Sequence, residues 1–171
     1  MKRIGLFYGS NTGNTEKIAQ DITNLLKEQG FEVDLYDIAD IDVSKINEYK
    51  NIIIGASTWG EGDLPDAWED KLSDFSELDL SGKKIAFFGL GDQEDYSDTF
   101  VDAMGILADI AIKNGATIVG DNWSTDGYDF DESMALKDGA FVGLVIDEDN
   151  QDELTAQRVK KWIDIIKNSF D

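Results

Sequence analysis

Cysteine and histidine are both absent from the 171 residues of this chain. Without cysteine there are no disulfides, no thiolate nucleophile and no thiolate metal site. Without histidine the commonest general base and the usual zinc ligand are missing, which excludes every Ser/His or Cys/His catalytic arrangement. Basic side chains are scarce, 15 against 36 acidic ones, for a formal net charge of −21. Such a surface repels a nucleic-acid backbone or an anionic membrane and attracts a partner with a basic face. Long apolar runs are lacking too: none approaches the ~18 residues of a membrane helix. The stretch after Lys2-Arg3 is too short for a secretory signal. The expectation is a cytoplasmic protein with no nucleic-acid and no membrane partner, in which the Asn122-Trp123-Ser124 sequon is coincidental. Chemistry is left to backbone groups, hydroxyls, carboxylates, aromatics or a borrowed cofactor.

What is present is enough apolar material for one core. Hydrophobic residues make up 42% and aromatics 11%, which argues against disorder despite the charge, and the length suits a single domain over 1–171. Residues 3–8 form an apolar run ending at Gly9, read as a buried strand. In residues 14–29, Ile18, Ile22, Leu25 and Leu26 carry the spacing of an amphipathic helix. Phe31–Tyr36 alternates like a strand, and Ile52–Ala56 and Lys83–Leu90 read as further strands. Pro65, the single proline, opens a short helix with Trp68 and Leu72 on one side. Residues 98–113 and about 155–168 read as helices, the latter with Val159, Trp162, Ile163 and Ile166 on one stripe. Apolar strands alternating with amphipathic helices imply a parallel sheet with helices on both faces. Between strand-like 116–120 and 141–146 lies an excursion, about 121–140, with no helix in it. One long strand interrupted by a functional or packed insertion accounts for that.

Three loops carry the chemical signal. Gly9-Ser10-Asn11-Thr12-Gly13-Asn14-Thr15 follows a strand and opens a helix. Unpaired amides at a helix start bind anions, and here hydroxyls and carboxamides surround them with no Lys or Arg. This is neither a Walker A loop nor a dinucleotide turn. It reads as an uncharged pocket for a terminal phosphate: Ser10, Asn11, Thr12, Gly13, Asn14, Thr15. The second loop, Ser57-Thr58-Trp59-Gly60-Glu61-Gly62-Asp63, sets a large aromatic among small residues. The third, Gly89-Leu90-Gly91-Asp92-Gln93-Glu94-Asp95-Tyr96, has two glycines of a dinucleotide fingerprint but no third, and its acids would repel a pyrophosphate. All three leave the carboxyl ends of strands, where open α/β sheets bind ligands. Trp59 and Tyr96 are thereby brought toward one slot, where two aromatics can sandwich a flat ring. The acidic runs Asp147–Asn150 and Asp126–Asp131 lack the spacing of a calcium loop, so no metal site is expected.

These three loops, together with Asp147-Glu148-Asp149-Asn150-Gln151 and Trp123-Ser124-Thr125-Asp126-Gly127-Tyr128, resemble the long-chain bacterial flavodoxins over essentially the whole chain. The resemblance implies a doubly wound five-stranded parallel sheet of order 2-1-3-4-5, with 121–140 as the long-chain insertion in the last strand. That order, with FMN at its reversal point, is the standard instance of the strand-end rule, so the topology comes from the resemblance. It also implies noncovalent FMN. Residues 10–15 would hold its phosphate, and Trp59 and Tyr96 would stack on its ring. Thr58, Gly60, Glu61, Gly91 and Asp92 would surround the ring edge, with Thr99 at the pyrimidine end and Asp149 near the ribityl chain, and Ser57, Gly62 and Leu90 would also contact the cofactor.

By that resemblance the protein is a low-potential one-electron carrier, not an enzyme, shuttling between semiquinone and hydroquinone. Aromatic faces and nearby carboxylates make the anionic hydroquinone costly. A flip of the Gly60–Glu61 peptide would supply an acceptor for the new N5 proton. The partners implied are redox proteins with basic docking faces, such as NADP-dependent flavodoxin/ferredoxin reductases and pyruvate-oxidising enzymes. Asp63, Asp66, Glu69 and Asp70 are the docking residues proposed, and a monomer is the simplest state. Two rivals are an FMN-dependent NAD(P)H:quinone reductase and a phosphorylated receiver domain. The latter needs an acidic pocket where this chain has Gly-Ser-Asn-Thr-Gly.

Overall fold

Runs of apolar residues with no polar alternation cannot form a strand that faces water on one side. In the computed structural model, which describes residues 2–10 and 13–171, those runs lie in the middle of one parallel sheet. The elements are β1 (Arg3–Gly9), α1 (Gly13–Glu28), β2 (Glu32–Asp37), β3 (Asn51–Ser57), α2 (Asp66–Ser76) and β4 (Lys84–Leu90). They continue as α3 (Asp102–Lys113), β5 (Thr117–Val119), β6 (Leu136–Lys137), β7 (Ala140–Phe141), β8 (Leu144–Ile146) and α4 (Thr155–Ile166). The sheet order is β2-β1-β3-β4-β5, all pairs parallel, with β8 also on β4. Every residue of β3 is buried, so both faces are covered. Helix α1 packs against α4, and α2 against α3, giving one helical layer on each side.

Two tryptophans bury their rings under the helices and still satisfy their N–H groups. Trp68 Nε1 donates to the Gly55 carbonyl at 3.0 Å, and Trp162 Nε1 to the Gly120 carbonyl at 3.0 Å. Gly9 makes room for the first: a Cβ there would sit 2.4 Å from Trp68 Cδ1. The end of β1 can therefore carry no side chain.

The last strand is one strand in two pieces. β5 pairs with Lys84–Ala86 of β4, and β8 with Phe88–Leu90. The chain leaves after Val119, builds the antiparallel β6–β7 hairpin and rejoins at Leu144. Phe141, read from sequence as part of the returning strand, instead exchanges backbone hydrogen bonds with Trp123 at 2.8 and 3.0 Å. Its ring joins Phe100, Tyr128 and Phe130 in a cluster with centroids 5.3–6.0 Å apart. The insertion thus packs onto Phe100, just before α3, as a small aromatic core shared with the main fold.

Other boundaries differ from the periodicity. The helix expected over 98–113 begins at Asp102, because Val101 is left-handed at φ +49 and cannot lie inside a right-handed helix. The final helix stops at Ile166. Residues 38–40 and 43–48, which showed no period, form two 3-10 turns. Asp37 and Asp42 cap them by accepting the Ala39 and Ser44 amides at 2.9 and 3.0 Å.

Candidate functional site

A cleft of about 300 Å³ opens at the carboxyl ends of β1, β3 and β4. From the first turn of α1 it takes Asn14. Just behind, Thr15 is fully buried and its Oγ1 has no hydrogen-bond partner among the described residues. Ser10 is half-buried at the end of β1 and Gly13 opens α1; neither lines the cleft. Asn11 and Thr12 lie outside the described residues.

The second wall is the loop after β3. Ser57 lines the cleft with a buried hydroxyl that also lacks a partner among the described residues. The Thr58 amide donates to the Leu90 carbonyl at 2.8 Å, and Thr58 Oγ1 accepts the Ala103 amide at 3.0 Å. Thr58 therefore locks this loop to β4 and to the start of α3. Trp59 and Asp63 exchange backbone hydrogen bonds, each 2.8 Å, closing a five-residue turn. Gly60 sits on the cleft side of that turn at φ +52. Glu61 and Gly62 do not line the cleft; Gly62 instead abuts Thr99 and Asp102, which places Thr99 behind the turn.

The third wall is the loop after β4, with Leu90, Gly91, Asp92 and Tyr96 on the cleft. The Gly91 amide donates to the Ile146 carbonyl at 3.1 Å, and the Tyr96 amide to the Asp92 carbonyl at 3.0 Å. Trp59 is 49% exposed and Tyr96 41%, although both are large rings at the rim of one cleft. An exposed aromatic pair facing a shared cavity is the signature of a surface that a flat ligand covers.

The fourth wall, after β8, supplies Glu148 and Asp149. Its organiser is Asp147, which is fully buried. Asp147 Oδ2 accepts the Gln93 amide at 3.1 Å, Gln93 Nε2 at 2.6 Å and Asn150 Nδ2 at 2.9 Å. Its Oδ1 accepts the Asp149 and Asn150 amides at 3.2 and 3.0 Å. Asn150 Nδ2 also reaches Asp92 Oδ1 at 2.8 Å, tying the third and fourth walls together. Sequence reading named Asp149 but missed Asp147, Gln93 and Asn150 as supports and Glu148 as lining. The available signal was an acid followed by Asn just after a strand, the pattern of a side chain capping its own turn.

The carboxylates here are not alike. Partial burial would raise Asp92, but hydrogen bonds from the Asp95 amide, Asn150 and the Glu94 amide outweigh it and hold the carboxyl below its usual range. Asp149 moves the other way. Loss of hydration, then the charges of Asp92, Asp147 and Asp95, push it up. The cleft wall therefore already resists further negative charge. Among the described residues no group of three or more acidic side chains is arranged to hold a metal ion, and no helix is long and apolar enough to cross a membrane.

Residues 6–162 match the family model described as Flavodoxin. A flavodoxin of Synechocystis sp. is 52% identical over 98% of this chain and 97% of its own length. Flavodoxin 1 of Escherichia coli is 47% identical over 95% of this chain and 92% of its own. Among solved structures, Fusobacterium nucleatum flavodoxin bound to flavin mononucleotide superimposes with a TM-score of 0.94 at 34% identity, covering 100% of both chains.

Proposed function

The chain belongs to the flavodoxin family, and from that premise we propose that it holds FMN noncovalently between Trp59 and Tyr96 and serves as a one-electron carrier between redox proteins. The observation that carries this reading is the convergence, on one cleft, of two exposed aromatic rings and a Ser57 hydroxyl with no partner among the described residues, with the Thr15 hydroxyl, equally without one among them, in the adjoining first turn of α1. A buried hydroxyl without a partner costs about 1–3 kcal/mol. Two of them beside one cleft fit a ligand with several acceptors. When bound, FMN supplies the redox chemistry, accepting and releasing electrons singly.

The chain's own residues prepare the site for that group. The start of α1, with Thr15, offers amides and hydroxyl to a phosphate without lysine or arginine, so the cradle adds no positive charge near the ring. Ser10, Asn11, Thr12, Gly13 and Asn14 complete it in this reading. Trp59 and Tyr96 cover the ring faces and exclude water. Asp92, Glu148 and Asp149 disfavour any added negative charge. Gly60 is the hinge. Its φ of +52 is one that glycine adopts freely, and a Cβ there would meet nothing nearer than Asp63 Oδ2 at 3.6 Å. Its peptide with Glu61 can turn at low cost, and we assign the Gly60 carbonyl as acceptor for a proton gained at the ring edge.

Asp63, Asp66, Glu69 and Asp70 are exposed beside this turn and along α2. In this reading they steer the basic faces of partners such as NADP-dependent reductases or pyruvate-oxidising enzymes, as a monomeric carrier rather than an enzyme. Transfer rates should then fall with ionic strength. The NAD(P)H:quinone reductase reading is not favoured. The test is titration of FMN into FMN-free protein. Flavin fluorescence is expected to quench to an endpoint of one FMN per chain, with weaker binding in Thr15→Val and Ser57→Ala. No quenching, or quenching unchanged when both Trp59 and Tyr96 are alanine, would overturn the reading.

A further inference from the structure

We propose that the cleft between the insertion and α4 is a second site, for a phosphoryl-type oxyanion, with Arg158 and Lys161 as its cationic wall. This cleft, about 480 Å³, is lined in part by Trp123, Ser124, Asp126, Gly127, Arg158 and Lys161. It shares no lining residue with the cleft between Trp59 and Tyr96.

Arg158 is 8% exposed, yet it enters none of the ion pairs among the described residues. A buried arginine is ordinarily paired. In a chain with 36 acidic side chains, a carboxylate partner was easily available. The face of the guanidinium is used, since Cζ lies 4.1 Å from the centroid of the Tyr128 ring. Its edge is not. Nη2 makes one long bond, 3.5 Å, to the Gly127 carbonyl, which Gln151 Nε2 already donates to at 2.8 Å. Nη1 is buried with no partner among the described residues. Of the fork donors that recognise oxyanions, Nη1 is therefore left over and Nη2 is only weakly held.

Lys161 adds a second cation on the same wall, its Nζ 5.5 Å from the Trp123 centroid. Ser124 Oγ accepts the Asp126 amide at 3.1 Å, which leaves its hydroxyl proton to donate. A planar fork, a point charge and a hydroxyl around one cavity match three phosphoryl oxygens better than the two of a carboxylate. Asp126 lines the same cleft from the insertion side and opposes them, so binding is weak and salt-sensitive.

The experiment is titration of inorganic phosphate into FMN-saturated protein at constant ionic strength, followed by ¹H–¹⁵N spectra. With the first cleft filled, saturable shifts are expected at the Trp123 indole N–H, Gly127 and the Arg158 side chain. Arg158→Met should weaken binding roughly tenfold or more, while Arg158→Lys retains part of it. Lys161→Glu, at an exposed position, carries the test if the Arg158→Met protein does not fold, with a comparable loss expected. Phenyl phosphate binding as well as phosphate would identify the source as a phosphomonoester, and phosphate alone as the free ion. The proposal is overturned if chloride gives the same shifts, if acetate binds equally well, or if the variants bind phosphate like the parent.

Discussion

The two ends of the sheet are built to opposite rules. At the amino ends of the strands, lysines meet the last residues of the chain. Lys2 Nζ donates to the Phe170 carbonyl at 2.9 Å, Lys84 Nζ to the Ser169 carbonyl at 3.0 Å, and Lys50 pairs with Asp171 at 3.1 Å. Asn51 closes the set, donating through Nδ2 to the Asp171 carbonyl at 2.9 Å and accepting the Asp171 amide at 3.2 Å. At the carboxyl ends, two buried hydroxyls have no partner among the described residues and two large rings stand half in water. One end satisfies itself within the chain; the other is complete only with a ligand. Local incompleteness within an otherwise consistent fold marks where function sits.

Breaking the buried anchor of the open end should have the largest effect. Asp147→Ala strands the Gln93, Asp149 and Asn150 donors, so about 3 kcal/mol of stability should be lost in urea unfolding, together with FMN affinity. A loss as small as that of an exposed surface change would mean the loops hold themselves. Next, Trp59→Ala should weaken FMN by roughly 1–3 kcal/mol, the range found when an aromatic stacking platform is truncated, with the melting temperature of FMN-free protein unchanged. Asn51→Ala should do the reverse, lowering stability by about 1 kcal/mol with FMN affinity intact. If Asn51→Ala weakened FMN as Trp59→Ala does, the two ends would not be independent.

A smaller effect is expected at the hinge. Gly60→Ala places a Cβ at φ +52 and should destabilise by about 1 kcal/mol. FMN should still bind, with a lower yield of the one-electron-reduced form in an anaerobic titration. The smallest effect concerns Asp149. Its carboxyl is raised in the fold, so the folded state binds that proton more tightly than the unfolded chain. The charged form is therefore a burden above the folded value, and the burden vanishes once pH falls below the unfolded one. Asp149→Asn should be slightly more stable than the parent at neutral pH, the difference closing through the carboxylate range. Thermal melts against pH check the sign.

Much of this was legible because the informative residues sit in local patterns. The uncharged turn after β1, Trp59 between glycine-rich neighbours, and Tyr96 after a small-residue loop all follow apolar strands, and the strand-end rule then brings them together. What could not be read depends on distance in sequence. Asp147 acts on Gln93 from 54 residues away, and no spacing rule announces that. The left-handed Val101 that delays α3 lies between Phe100 and Asp102, which hydrogen-bond to Glu132, Ser133 and Met134 of the insertion, more than thirty residues on in each case. The split of the last strand is visible in the sequence, but the side on which Phe141 falls is not, because an apolar residue before a strand looks the same whether it pairs with the sheet or with a hairpin.

Whether the cleft makes FMN a one-electron carrier is read from a stepwise anaerobic potentiometric titration of the FMN-loaded protein. One-electron carriage requires two separated steps, the second displaced well below the potential of free FMN by the carboxylates and rings around the cleft. Entry of both electrons together, at the potential of free FMN, would contradict it.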